Sequence, residues 1–264
     1  MSEPSTKRQK VTYDLIYWPG IPGRGEHIRL ALEASGTPYN DIANDDKDGI
    51  KAVQALIDPN STTDDAGNPP AFAPPALRVP GAGRDGKPLL ITQTPNILFY
   101  LGDKIGMVPE GDEAGKWHAN AIVLTALDLN NETHDTHHPV AVMKYYEDQK
   151  EESLKKATDF RENRIPKFLG YFERVLKGNT KGDGKYFVGD KITYADTTVW
   201  QVLDGLFFAF PKEMEARKKE FPVTLQTFYS SIKEEKGIKE YLSSGKRLPY
   251  SQGIFRRYPE LDRQ

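Results

Sequence analysis

Tyr17 is the residue in this sequence best placed to do chemistry. It lies where the apolar stretch "YDLIYW" runs into the loop "PGIPGRG", just before "GEHIRLALEASG". A phenol at a strand end, backed by the positive end of a helix, offers a neutral hydrogen-bond donor to an anion. Such a bond favours the charged form of an acid and lowers its pKa. The plainer reading makes Tyr17 a strand aromatic, a place tyrosine favours in any case. Gln93 and Thr94 fall at the entry to "TPNILFYLGDKIG", where side chains and helix-start amides make a carboxylate site. Thr94 also reads simply as an N-cap, with Pro95 at the first helical position. His134, His137 and His138 in "THDTHHP" have helical spacing, with Asp135 adjacent. That spacing suits a metal, but no glutamate stands between the histidines and Pro139 closes the helix. We read the cluster as solvated or pocket-lining and expect no metal.

The chain contains no cysteine, which excludes disulfides, thiolate zinc sites and every cysteine nucleophile. Any thiol chemistry must therefore be done on a ligand's sulfur. A net charge of −2 gives no electrostatic case for nucleic acid or an anionic membrane. No apolar run approaches the roughly 18–20 residues of a membrane span. "MSEPSTKRQK" lacks an apolar segment after its basic residues, so it reads as a short solvated tail rather than a secretory signal. A cytoplasmic protein is the expectation.

The elements that must position these residues change character once along the chain. From Val11 to Ile105 the order reads β-α-β-α-β-β-α: "YDLIYW", "GEHIRLALEASG", "YNDIA", "KDGIKAVQALID", "ALRVPG", "KPLLIT" and "TPNILFYLGDKIG". Gly36 and Pro38 stop the first helix. "GAGRDG" joins the last two strands, which should be antiparallel. "GMVPEGDEAG" is a polar connector. Beyond it helical periodicity continues, as in Phe168, Tyr171, Phe172 and Val175. Thr193 and Asp196 in "TYAD" form a capping box, and "GLFFAFP" reads as core. The expected organisation is a disordered tail over 1–11, an α/β domain over 12–105, a linker over 106–115, an all-helical domain over 116–250 and a C-terminal tail over 251–264.

Four motifs, in order, resemble the cytosolic glutathione transferases that use tyrosine (sigma-, mu- and pi-like). They are "LIYW…GRGEHIRLAL", "PPAL", "TQTPNILFYL" and "FVGDKITYADTTVW". The resemblance implies a thioredoxin-like N-terminal domain plus an all-α C-terminal domain, the glutathione transferase fold. It implies Tyr17 as donor to the glutathione thiolate, with Trp18 beside it and Arg24 supporting the helix start. Pro75 matches the family's cis-proline, and Pro74 presents backbone to the cysteinyl unit. Gln93 and Thr94 would hold the γ-glutamyl carboxylate, and Asp128 would meet the γ-glutamyl amine across a dimer interface. Lys51 would reach the glycyl carboxylate or remain a solvated lysine. His134, His137 and His138 would line the second-substrate pocket. Two departures stand out. The span from Tyr17 to Arg29 is one residue longer than in most such members. Pro74 also has no N–H to offer a ligand, which should weaken or shift glutathione binding.

The resemblance implies an enzyme conjugating the glutathione thiolate to small apolar electrophiles in detoxification, acting as a homodimer with no cofactor beyond its co-substrate. A non-catalytic ligand-binding or scaffold relative, and a glutathione-dependent isomerase or ether-cleaving enzyme, remain the alternatives.

Overall fold

The computed structural model describes residues 11–264. The expected N-terminal tail therefore lies, but for Val11, outside the described residues. The first part builds a four-stranded sheet in the order β2-β1-β3-β4 from β1 (Tyr13–Ile16), β2 (Tyr39–Asp41), β3 (Ala76–Val79) and β4 (Leu89–Thr92). β1 pairs with β2 in parallel and with β3 antiparallel, and β3 pairs with β4 antiparallel as their short connection requires. Strand alternation places Tyr13 and Leu15 on one face and Ile16 on the other. Leu15 joins the main core, whereas Ile16 packs with Val53, Leu56 and Ala76 in a smaller cluster. Both faces of the sheet are thus covered.

Four helices complete this part: α1 (Glu26–Ser35), α2 (Ile42–Asp45), α3 (Ile50–Leu56) and α4 (Thr94–Ile105). Gly36, at φ 63°, ends α1 in the left-handed conformation that glycine adopts without a Cβ clash. "YNDIA" is extended only as far as Asp41. The chain turns helical at Ile42, where pairing with β1 ends at Leu15–Asp41.

The second part is helical: α5 (Glu113–Asp135), α6 (Lys150–Asp159), α7 (Ile165–Gly178), α8 (Tyr194–Ala209), α9 (Pro211–Arg217), α10 (Tyr229–Glu234) and α11 (Lys236–Ser243). Two segments expected to be continuous helices contain wide π-turns, at Phe160–Arg164 and Val223–Phe228. The first precedes Pro166, whose missing N–H cannot continue an α-helical ladder. The capping box at the start of α8 is present. Asp196 accepts from the Thr193 N–H and hydroxyl at 2.7 Å each and from the Phe187 N–H at 2.8 Å. α1 packs on α8 and α11, and α5 packs on α8, so one continuous core runs from Leu15 through Ile28 to Trp200. No helix is long and apolar enough to cross a membrane among the described residues.

Candidate functional site

Sheet register gathers three expected site residues at one edge. Ile16 pairs with Ala76, and Ala76 with Thr92. Tyr17 follows Ile16, Pro75 precedes Ala76 and Gln93 follows Thr92, so all three emerge at the same end of the sheet. The Pro74–Pro75 peptide is cis, as the resemblance implied.

The Tyr17 ring is buried, and its hydroxyl oxygen accepts the Arg24 backbone N–H at 2.8 Å. The loop closes over the ring because it carries glycine at two close approaches. A Cβ at Gly23, which sits at φ +44°, would lie 2.1 Å from the Tyr17 hydroxyl, and one at Gly25 would lie 2.7 Å from Tyr17 Cγ. Burial raises the phenol above its ordinary pKa, outweighing the Arg24 amide and the Arg24 and Arg29 charges. Tyr17 is therefore a phenol at neutral pH, with its oxygen occupied as an acceptor and its hydrogen available. Tyr13, at the opposite end of β1, is buried in the main core.

The longer loop is tied down at two points. Arg29 Nη1 donates to the Pro22 carbonyl at 3.1 Å, and the Gly20 N–H donates to Asn44 Oδ1 at 3.0 Å. Arg29 also pairs with Glu26 at 3.2 Å and with Asp41 at 2.6 Å. Buried Glu26 further accepts from Tyr241 and Arg247 of the helical part. Arg24 reaches across to α5, where Nη2 donates to Asn131 Oδ1 at 2.7 Å. The sequence reading missed Asn131. Its only local signal is a polar residue three positions after Asp128, a spacing that shares one helix face.

Gln93 and Thr94 correct one expectation. The helix begins at Thr94 and Gln93 is its N-cap, with φ 71° and ψ 121° and no side-chain cap bond. A non-glycine residue held in that region is strained, a condition concentrated at binding sites. The Thr94 hydroxyl is buried and has no partner in the protein. Buried hydroxyls are nearly always bonded, so it is a polar atom available to a ligand.

The remaining expected residues are scattered. Trp18 is half-buried against the cluster around Ile16. Lys51 is 74% exposed and pairs with Asp48 at 2.9 Å, a surface contact worth little. Asp128 is exposed on α5. A cleft of about 1290 Å³ at the connector, lined by Lys104, Pro109, Lys116, Lys181 and Asp190, includes none of the expected site residues.

Of the two readings of the histidines, solvated or pocket-lining, burial removes the first for His137 and His138, over which the C-terminal segment lies; His134 keeps partial exposure. His137 Nε2–H donates to the Ile254 carbonyl at 2.8 Å. That segment is anchored beyond this contact. Tyr258 stacks on Tyr146 with ring centroids 3.8 Å apart, and Asp262 accepts from the Lys212 and Glu213 amides at 2.9 and 3.1 Å.

Comparison with known proteins finds one family model, two relatives and one solved structure of note. The family model "Glutathione S-transferase, C-terminal domain" matches residues 134–245. The chain is 29% identical over 245 residues to "Glutathione S-transferase Mu 2" of Rattus norvegicus, covering 91% of this chain and 94% of the relative. It is 29% identical over 162 residues to "Glutathione S-transferase" of Plasmodium yoelii yoelii, spanning 61% of this chain and 66% of that relative's length. The solved structure "Fasciola hepatica sigma class GST" superposes with TM-score 0.64 at 21% identity, covering 92% of this chain and 100% of that one.

Proposed function

As a divergent member of the glutathione S-transferase family, the chain, we propose, conjugates the glutathione thiolate to small apolar electrophiles, with Tyr17 as the thiolate's donor. One observation carries this reading. The Tyr17 oxygen is occupied by the Arg24 N–H, which leaves the phenolic hydrogen to donate at the sheet edge where Pro75 and Gln93 also emerge. A free thiol of this kind has a pKa of about 8.5, so little is thiolate at neutral pH. A hydrogen bond to a charged acceptor contributes about 1.5–3 kcal/mol. At about 1.4 kcal/mol per pKa unit, that lowers the thiol by about one to two units. The thiolate then attacks an electrophilic carbon, the new carbon–sulfur bond forms, and the leaving group or a proton-accepting carbon completes the balance.

Binding follows from the same edge. Thr94 and Gln93, with the first amides of α4, would hold the γ-glutamyl carboxylate. Pro74 presents only its carbonyl to the cysteinyl backbone. Lys51 and Asp128 are exposed and would act on the tripeptide's termini, Asp128 across a homodimer interface. Phe72, 93% exposed, and Trp117 and Leu124 on the outer face of α5 supply apolar surface for that partner. His134 is the histidine that would face the second substrate. Cytoplasmic detoxification fits these roles, with glutathione as co-substrate and no cofactor in the conjugation step.

The test is a thiol titration by ultraviolet thiolate absorbance of bound glutathione, in wild type and Tyr17→Phe. The expected result is a pKa about one to two units higher in the variant, with turnover of aryl halides falling in proportion. Equal thiol pKa values in the two proteins would refute the reading.

A further inference from the structure

The three histidines near the end of α5 form a cluster that the thiol chemistry does not use. The His137 and His138 Nδ1 atoms are 2.6 Å apart, and one nitrogen from each of the three rings lies within 4.8 Å of the others. His134 stacks on His138 with centroids 4.7 Å apart and meets His137 edge-on at 5.0 Å. We propose that His134, His137 and His138 together bind a divalent transition-metal ion of the zinc, nickel or copper class, with water in the remaining position.

The tautomers favour it. A carbonyl oxygen only accepts, so the His137 nitrogen 2.8 Å from the Ile254 carbonyl must be Nε2–H. His137 Nδ1 is then a bare lone pair. It accepts the His138 Nδ1 proton, at the position a metal ion would take. Metal-bound imidazoles commonly donate their second N–H to a backbone carbonyl in just this way, which fixes the ring and strengthens the ligand.

The distances favour it as well. Zinc–nitrogen bonds of about 2.0–2.1 Å place tetrahedral neighbours about 3.3 Å apart. The His137–His138 pair must open by less than about 1 Å, and the widest pair must close by about 1.5 Å. His134, the partly exposed ring, can make that adjustment by turning off its stack.

The surroundings select the kind of ion. Asp135 Oδ1 lies 3.6 Å from His134 Nδ1, and Arg256 and Arg24 are the neighbouring positive charges. A hard cation such as calcium or magnesium would want several oxygens, which this cluster does not offer. Imidazole nitrogens suit zinc, copper and nickel. Because His137 also holds the Ile254 carbonyl, the ion would tighten the docking of residues 251–264 onto α5.

The test uses the untagged full chain, stripped of metal. Cobalt(II), as a spectroscopic stand-in, is titrated while visible absorption is read, and zinc binding is followed by calorimetry. The expected result is one saturable site per chain with bands of a nitrogen-ligated ion, at least tenfold weaker in His134→Gln and His138→Gln and unchanged in His118→Gln. Zinc should also raise the thermal midpoint of the wild type and not of His134→Gln. The His134 side chain pairs with the partly exposed Asp135 at 3.6 Å and holds no other polar group among the described residues, so that variant remains informative if His138→Gln misfolds. Absence of saturable binding, or equal binding by wild type and His134→Gln, would overturn the proposal.

Discussion

Arg29 donates from Nη1 to the Pro22 carbonyl at 3.1 Å, so the guanidinium that balances Glu26 and Asp41 also holds the loop bearing the Arg24 amide against Tyr17. One buried cation therefore serves both the fold and the tyrosine's aim. Removing it leaves Glu26 fully buried with Arg247 as its remaining cation. Breaking such a pair from one side costs about 3–5 kcal/mol. Arg29→Met should lose that much in urea unfolding; a loss below about 1 kcal/mol would mean that Arg247 and Tyr241 suffice for Glu26.

The unpartnered Thr94 hydroxyl leads to a prediction on binding alone. Thr94→Val keeps the shape and deletes the polar atom, so the apparent KM for glutathione should rise about tenfold while kcat changes little. Thr94→Ser should restore most of the affinity. Steady-state kinetics with glutathione varied checks both, and an unchanged KM in the valine variant would remove Thr94 from the ligand's contacts.

His27 sets an acid limit. It is fully buried on α1, and burial, followed by the Arg24 charge, lowers its pKa to about 3 against the help of Asn130. The unfolded chain takes up this proton near pH 6.5, but the folded chain does not until about 3. Unfolding binds a proton in that window, so stability is complete above pH 6.5 and falls as pH drops. The slope from this one group is about 1.4 kcal/mol per pH unit. Urea midpoints at pH 7, 6 and 5 should decline accordingly, and His27→Asn should flatten the profile by that slope. Identical profiles would place the acid sensitivity elsewhere.

Asp262 caps α9 from the far end of the chain, accepting from the Lys212 and Glu213 amides. Losing an aspartate cap costs about 0.5–2 kcal/mol, and about 1 kcal/mol moves the midpoint by about 2–4 °C in a chain of this size. Asp262→Ala should therefore lower the thermal midpoint by about 1–8 °C in calorimetry. A second effect should follow in the same variant. Hydrogen exchange at the amides of residues 251–264 should quicken, because the segment loses one of its anchors.

The fold was readable wherever local chemistry decides it. Gly36 at the left-handed stop of α1, the Thr193–Asp196 box and the short β3–β4 connection are all set by neighbouring residues. The strand–loop–helix setting of Tyr17 is of the same kind. Readability failed where partners are distant in sequence. Arg24 and Asn131 are 107 positions apart, and His137 and Ile254 are 117 apart. Neither pair leaves a periodic trace. The short α9 went unread because "PKEMEARKKE" is charge-rich; only Met214 and Glu213 on it are buried, and Glu213 is held there by Arg217 and Arg263. Thr94 read as a cap by residue type, yet the backbone at Gln93 turns through φ 71° and starts the helix one residue earlier than that reading requires.

The closeness of Gly23 and Gly25 to the aromatic ring binds three positions into a single choice. Neither glycine can acquire a side chain while the phenol keeps its place; a smaller residue at 17 would free Gly23, which meets only the outer ring, but a Cβ at Gly25 would still meet the Cβ of residue 17 at 3.0 Å. Exchanging the phenol for a serine therefore means rebuilding the turn in the same step.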